Sequence, residues 1–219
     1  MNEREWSFGG LRVYRRMCRF DAPTLVAHLS RAEGEALEAG EWTLICIDGA
    51  DWNRDLTPWP TKAAFRGQPD FAGGAKAHLK RLMDEILPAA EEGLRPPSRS
   101  IMGYSLAGMF ALYAALETGA FDSVASVSGS LWYPGFAEYV EAGAAGRPEF
   151  AYLSVGDREK LGRNAAFHSI EENTLRIVGA LRGRGAEAMF ERNPGGHFTD
   201  PQGRMARAVK QMMQRTGIE

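Results

Sequence analysis

The sequence predicts an α/β protein with a mostly parallel central sheet and helices on both of its faces. Three segments in the second half have the apolar character of buried strands, at residues 124–128, 150–155 and 186–191. Helical segments separate or follow them, at residues 164–182 and 202–215. Because strands that alternate with helices assemble into parallel sheets, functional side chains are expected at the carboxyl ends of the strands.

The amino-terminal region supplies the first strands. Residues 11–18 alternate imperfectly between apolar and polar side chains, which is typical of a strand near a sheet edge. Residues 41–47 form a continuous apolar run, which is typical of a buried parallel strand. Between them we predict a helix over residues 22–39, because Pro23 suits a first helical turn and Gly40 suits a helix end.

A long irregular stretch precedes the next helix. Residues 48–70 contain three prolines, and loops of this length are usually functional or disordered. Trp52 and Trp59 argue against disorder, and we predict a covering loop at the rim of a cleft. Its aromatic rings either stack against a substrate or cap the edge of the sheet. An amphipathic helix is then predicted over residues 71–92.

Composition indicates one domain, residues 1–219. The chain has 44% hydrophobic residues and a formal net charge of −2, which gives no electrostatic footprint for nucleic acid or an anionic membrane. Cys18 and Cys46 lack metal-ligand spacing, and the start of the sequence lacks an apolar signal region. No apolar stretch approaches the roughly 18 residues of a membrane span. We therefore expect a cytoplasmic protein with no nucleic-acid or membrane partner.

The most informative segment runs from Ile101 to Gly108, where a short apolar run turns through a serine into an apolar helix. It is typical of a nucleophile elbow, in which a serine on a sharp strand-to-helix turn requires small residues two positions before and after it. Gly103 and Ala107 occupy those positions around Ser105, and Ala107 stands where the usual pattern has glycine. A helix that begins there directs its N–H groups at the serine, which favours a developing oxyanion.

A nucleophilic serine needs a base and an acid, and candidates for both follow it in the expected chain order. His197 alone among the four histidines lies in a glycine-rich loop, after the predicted strand that ends at residue 191. Asp157 and Glu159 both follow the strand that ends at residue 155. The spacing favours Glu159 as the acid, with Asp157 as the open alternative.

An oxyanion hole requires two N–H donors aimed at the position where negative charge develops. The N–H of Leu106 supplies the first, because it begins the helix after the serine. The second is expected from residues 48–53, after the preceding buried strand, with Ala50 or Asp51 as the donor. The aspartates of this segment have no clustered third ligand, so we expect no metal site.

The assembled residues resemble the esterase family of α/β-hydrolases that includes enterochelin esterases, feruloyl esterases, S-formylglutathione hydrolase and the mycolyltransferases. The resemblance covers most of the chain and depends on residues 47–53, 103–113, 127–132 and 156–159, followed by Gly196-His197. It implies the α/β-hydrolase fold without a large lid domain.

The resemblance also implies roles for individual residues. The triad positions of the family fall on Ser105, His197 and Glu159. Its oxyanion donors fall on Ala50 and Leu106. Trp132 matches a wall of the substrate pocket, with packing in the core as the open alternative. Independently of the resemblance, Trp52 of the covering loop is the second expected substrate contact.

We therefore predict a serine esterase that cleaves a carboxylic ester or thioester through an acyl-enzyme, with no metal and no organic cofactor. An acyltransferase or a peptidase would use the same triad, and a catalytically silent binding protein would keep the same fold and cleft. The expected partner is a small-molecule ester. The sequence carries no signature of the acyl group, the alcohol or the pathway, and a homo-oligomer stays open.

Overall fold

An eight-stranded sheet forms the centre of the computed structural model, which describes residues 2–37, 40–64, 66–143, 145–162 and 164–215. In chain order the strands are β1 (Asn2–Phe8), β2 (Leu11–Met17), β3 (Thr24–Ala27), β4 (Thr43–Asp48), β5 (Pro60–Thr61), β6 (Phe71–Ala72), β7 (Arg99–Tyr104), β8 (Ser123–Val127), β9 (Phe150–Gly156) and β10 (Glu187–Asn193). The short strands β5 and β6 form a separate two-stranded sheet.

The strands of the central sheet lie in the order β1-β2-β4-β3-β7-β8-β9-β10. β2 pairs antiparallel with β1 and with β4, whereas every pair from β4 to β10 is parallel. The carboxyl ends of β3, β7, β8, β9 and β10 therefore meet at one edge of the sheet. This arrangement confirms the predicted fold class.

Helices cover the sheet on both faces. They are α1 (Arg31–Glu35), α2 (Trp52–Asp55), α3 (Ala75–Arg81), α4 (Leu87–Ala90), α5 (Leu106–Thr118), α6 (Phe136–Ala142), α7 (Ile170–Gly183) and α8 (Pro201–Met213). A wider π-helical turn, Leu82–Ile86, joins α3 to α4. Among the residues that the structure describes, no helix has both the length and the apolar character that a membrane span requires.

Two apolar clusters fill the space between the sheet and its helices. Ile45 and Ile47 of β4 belong to the cluster that includes α5, while Leu44 and Cys46 belong to the cluster that includes α8. This alternation arises because successive side chains of a strand point to opposite faces of the sheet. Every residue of α5 from Leu106 to Leu116 is buried, as expected of a helix that is apolar on all sides.

The predicted helix over residues 22–39 is wrong. Thr24–Ala27 forms β3 in the middle of the sheet, and only Arg31–Glu35 within this range is helical, while Glu38 and Ala39 lie outside the described residues. All four residues of β3 are buried, because β4 and β7 pair with it on either side. This tertiary pairing overrides the local helical pattern of the segment.

The predicted helix over residues 71–92 is correct from Ala75 onward but is not regular. Pro88 lies in the first turn of α4 and has no N–H to donate to the preceding turn. The N–H of Leu87 bonds to the carbonyl of Leu82, five residues earlier, which produces the π-helical turn. The helix therefore continues past the proline with a local change of hydrogen bonding.

The packing of β7 against α5 predicts a steric limit at Gly103. A Cβ added there would lie 2.3 Å from the backbone carbon and oxygen of Ala107. We expect Gly103→Ala to lower the free energy of unfolding by about 1–3 kcal/mol, since the backbone of α5 must shift.

Gly179→Ala is the matched control, because Gly179 lies exposed within α7 and a Cβ there would meet nothing within 4 Å. We expect the free energy of unfolding of this variant to rise by up to about 1 kcal/mol. Thermal or denaturant unfolding measures both changes. Equal stability of the two variants would contradict the steric argument.

Candidate active site

Ser105 occupies the sharp turn between β7 and α5. Its backbone has φ 57° and ψ −125°, a conformation that side-chain-bearing residues rarely adopt. Hydrogen bonds hold this strained turn: the N–H of Ser105 donates to Val127 at 3.1 Å, and its carbonyl accepts from Gly108, Met109 and Ser130. The turn therefore presents the hydroxyl group at the carboxyl edge of the sheet.

The amino terminus of α5 lies directly behind this hydroxyl. Leu106 is the first residue of a 13-residue helix, so its N–H has no acceptor within the helix. The helix dipole makes this end positive. Leu106 also lines the cavity that contains Ser105.

His197 lies in the loop between β10 and α8 and bridges two of the predicted site residues. Its Nε2 is 3.1 Å from Ser105 Oγ, and its Nδ1 is 2.8 Å from Glu159 Oε2. With Nδ1 protonated and facing the carboxylate, the lone pair of Nε2 faces the serine hydroxyl. Three side chains from three loops thus form one hydrogen-bonded chain.

Glu159 is buried, with 2% of its side chain exposed. Burial opposes its charge, but hydrogen bonds from His197, from the N–H of Gly156 and from Ser128 hold the pKa of the carboxyl below its usual range. The Gly156 N–H lies 2.6 Å from Glu159 Oε1. The carboxylate therefore stays charged at neutral pH and holds the imidazole by Nδ1.

Asp157 has a different contact. Its Oδ1 accepts the N–H of Gly195 at 2.8 Å, and its own N–H donates to the carbonyl of Asn193. It braces the loop that carries His197, whereas Glu159 contacts the imidazole itself. The geometry thus separates the two carboxylates that the sequence left as alternatives.

Arg204 is a site residue that the sequence analysis missed. Its side chain is 1% exposed, and its Nη1 donates to Glu159 Oε1 at 3.0 Å and to Ser128 Oγ at 2.8 Å. Its Nη2 donates to the carbonyls of Pro194 and Gly196, each at 2.9 Å. One guanidinium therefore holds both the carboxylate and the loop before His197.

A signal for this role exists in the sequence. Arg204, Ala208 and Met212 are spaced at i, i+4 and i+8 along α8, so they share one helix face. Ala208 and Met212 are fully buried. An arginine on the apolar stripe of a helix requires a buried partner, and Glu159 is that partner here.

Backbone strain is concentrated at this edge. Within the described ranges, the non-glycine residues with positive φ are Ser105, Ser128 and Asp200. Ser128 directly follows β8 and accepts a hydrogen bond from Arg204, and Asp200 caps α8 through its side chain. Such strain persists where surrounding contacts over-determine the backbone, and it clusters at functional sites.

The predicted role of Ala50 as an oxyanion donor does not fit the structure. Ala50 follows β4, which β3 separates from β7, and it does not line the cavity around Ser105. Gly49 packs instead against the turn between β1 and β2, where an added Cβ would lie 2.6 Å from the carbonyl oxygen of Gly10. The N–H of the other candidate, Asp51, is already bonded to Asp55 Oδ2 at 2.9 Å.

The loop after β3 occupies the position expected of the second donor. In this fold the second oxyanion N–H comes from the loop that follows the strand beside the nucleophile strand. His28 and Leu29 come directly after β3, and both line the cavity. Leu29 lies beyond the paired residues of β3, and among the described residues no hydrogen-bond acceptor is found for its N–H.

The cavity at Ser105 has a volume of about 750 Å³ and mostly apolar walls. Trp132 lies in its wall as predicted and packs edge-on against Phe167, with ring centroids 4.9 Å apart. Trp52 also lines the cavity and is 45% exposed. Ser130 lines it too, with its Oγ 3.3 Å from Ser105 Oγ.

Trp59 lies outside this cavity. Its Nε1 donates to the carbonyl of Pro134 at 2.9 Å, and its ring packs against Tyr133, Phe136 and Tyr139. Of the two interpretations of the covering loop, Trp59 fits the structural cap and Trp52 fits the cleft rim.

Comparison with known proteins identifies the family. Residues 20–197 match the family described as Putative esterase. The chain is 27% identical over 152 residues to YbbA of Bacillus subtilis (strain 168), which is described as an uncharacterized protein. That alignment covers 66% of this chain and 60% of YbbA, so the chain spans about three fifths of that relative's length.

Solved structures share the fold at low sequence identity. The siderophore hydrolase EstB from Aspergillus nidulans superposes with a TM-score of 0.74 at 19% identity, over 99% of this chain and 96% of EstB. An IroE-like serine hydrolase from Shewanella oneidensis superposes with a TM-score of 0.80 at 16% identity, over 100% of this chain and 81% of the hydrolase. The enterobactin esterase FES from Shigella flexneri superposes with a TM-score of 0.69 at 17% identity, over 98% of this chain and 59% of FES. Because the family match spans most of the chain, the protein belongs to the Putative esterase family, and it has the α/β-hydrolase fold.

Proposed function

We propose that the protein cleaves a small carboxylic ester or thioester through an acyl-enzyme formed on Ser105. The observation that carries this proposal is the hydrogen-bonded chain from Ser105 through His197 to Glu159, which lies at the wall of a cavity large enough for a small molecule. The proposal needs no group that the chain itself does not supply.

In the first half-reaction, Ser105 Oγ attacks the carbonyl carbon of the ester while His197 Nε2 takes the hydroxyl proton. The electron pair of the carbonyl π bond moves to its oxygen. Collapse of this tetrahedral intermediate breaks the bond to the leaving group, which takes the proton from Nε2. Glu159 stabilises the imidazolium that forms between these steps.

In the second half-reaction, water replaces the departed alcohol or thiol. His197 takes a proton from the water as its oxygen attacks the acyl carbon, and collapse returns that proton to Ser105 Oγ. The products are a carboxylic acid and free enzyme. An oxyanion forms in both half-reactions, so its donors act twice in each turnover.

We assign the oxyanion donors to the N–H of Leu106 and to the N–H of Leu29, in the loop after β3. The positive end of α5 supports the first assignment. The cavity position of Leu29, whose N–H lacks an acceptor among the described residues, supports the second. In this assignment the loop after β3 supplies the second oxyanion donor in place of Ala50.

We propose a substrate with an apolar or aromatic group, held against Trp132 and Trp52. The cavity walls are mostly apolar, and aromatic faces favour ring stacking. The structural relative named siderophore hydrolase EstB shares this fold at 19% identity. The proposal of an apolar or aromatic substrate group is based on the side chains that line the cavity of this chain.

Ser105→Ala tests the nucleophile. We expect hydrolysis of p-nitrophenyl esters to fall by roughly 10⁴-fold or more, because no other group in the proposed mechanism forms the acyl-enzyme. Labelling by a fluorophosphonate probe should be lost at the same time. Ser7→Ala on the distant edge strand β1 is the control and should keep both signals. Wild-type turnover by the Ser105 variant would contradict the proposal.

Glu159→Gln and Asp157→Asn form a matched pair that tests the acid. We expect Glu159→Gln to lower kcat by about 10²–10⁴-fold, because a neutral amide neither stabilises the imidazolium nor enforces the Nδ1-protonated tautomer. Asp157→Asn keeps an oxygen that accepts the Gly195 N–H, so its kcat should stay within a few-fold of the wild type. The reverse order of effects would identify Asp157 as the acid.

Arg204→Met tests the buried ion pair through stability. Removal of one partner leaves Glu159 as a buried charge with less compensation and strips two loop carbonyls of a donor. We expect a loss of about 3–5 kcal/mol in the free energy of unfolding. Arg204→Lys should lose less stability, since it keeps the charge but reaches fewer acceptors.

The double variant Arg204→Met/Glu159→Gln completes a cycle for this pair. Its loss should be smaller than the sum of the two single losses, because the uncompensated charge is gone. If the loss of unfolding free energy in the double variant equals the sum of the losses in the two single variants, the two side chains do not stabilise each other.

A further inference from the structure

A second pair of polar side chains is buried beside the cavity and takes no part in the mechanism above. His28, on the loop after β3, and His78, on α3, are each 4% exposed. Their Nε2 atoms are 2.8 Å apart, which is hydrogen-bond distance. His197, the proposed base, is not part of this pair.

This contact requires at least one of the two rings to be neutral, with an unprotonated Nε2. One Nε2 must carry a proton and the other must present a lone pair, since two protonated nitrogens would repel each other. Burial holds the pKa of both rings below the usual value for histidine. Of the charges that face the pair, Asp55 favours the protonated form, while Arg54 and Arg81 oppose it.

No metal explains the pair. In the part of the chain that the structure describes, no group of three His, Cys, Asp or Glu side chains is arranged to hold an ion. A direct hydrogen bond between two neutral imidazoles therefore accounts for the short distance between the two Nε2 atoms.

The pair links the loop after β3 to two helices. Both rings pack against Phe110 of α5, with centroid distances of 4.9 Å for His28 and 5.2 Å for His78. Phe110 lies on the helix whose amino terminus supplies the Leu106 N–H. The His28 ring is thus fixed both to α3 and to the helix behind the nucleophile.

The backbone that this ring anchors is the segment to which we assign the second oxyanion donor. In the described chain the N–H of Leu29 has no hydrogen-bond acceptor, and Leu29 lies beyond the last paired residue of β3. The side-chain bond from His28 to His78 is the directional side-chain contact immediately before this N–H, and the bonds between Ser30 and Glu33 follow it. Apolar packing alone is non-directional and does not aim an N–H group.

We infer that the His28–His78 hydrogen bond is a positioning device that aims the oxyanion donor of the loop after β3 at the reacting carbonyl. This inference rests on the proposed function. His78 contacts no substrate in this role and acts through His28. Because the donor contributes most when negative charge develops, loss of the bond should lower kcat and leave KM unchanged.

His78→Phe is the test variant, since it removes the hydrogen bond and keeps an aromatic ring against Phe110. We expect its kcat for a p-nitrophenyl ester to fall by about 10–100-fold, because a donor displaced by a fraction of an ångström stabilises the oxyanion less well. KM should stay within about twofold of the wild type. His78→Gln is the matched rescue variant, since its amide group reaches the same position, and it should recover most of the lost kcat.

The outcomes separate the inference from the proposed function. Wild-type kcat in His78→Phe, or equal losses in His78→Phe and His78→Gln that follow the fall in melting temperature, would overturn the positioning role. Complete labelling of His78→Phe by a fluorophosphonate at long times, at a reduced rate, is the supporting result. If the wild type neither labels nor hydrolyses the ester, the proposed function fails, and the inference fails with it.

Discussion

The buried carboxylate of Glu159 is the interaction on which the rest of the site depends. Transfer of a charge from water into the protein interior costs several kcal/mol unless partners compensate for it. Here the partners are His197, the N–H of Gly156 and the guanidinium of Arg204. They belong to three separate parts of the chain, so the carboxylate fixes the positions of all three relative to one another.

Both helical layers of the fold meet at this point. α5 packs on one face of the sheet and presents its amino terminus to Ser105, while α8 packs on the other face and carries Arg204. Arg204 then reaches the carbonyls before His197 and the end of β8. The distance between serine and imidazole is thus set by the packing of two layers against one sheet.

Sequence signals located the residues that depend on local geometry. The glycine spacing around Ser105 and the glycine-rich loop of His197 both reflect short-range backbone requirements, and both residues lie at the site. The strand Thr24–Ala27 was missed, because its four residues are strand only through pairing with β4 and β7. That error moved the expected oxyanion donor to the next strand, at Ala50. Arg204 was missed because its partner lies 45 positions away.

The polar contacts of this edge serve a purpose that apolar packing does not. An apolar core fixes the separation of helices and strands, but it is tolerant of small rotations of a peptide plane. An oxyanion donor or a general base has to keep its direction before the substrate arrives, since any reorganisation during the reaction adds to the barrier. Buried hydrogen bonds with strict angles supply that direction, at Glu159 with Arg204 and at His28 with His78. The strained backbone of Ser105 lies between these two pairs, so the fold concentrates its directional contacts where the chemistry requires them and leaves the remaining stability to the two apolar clusters.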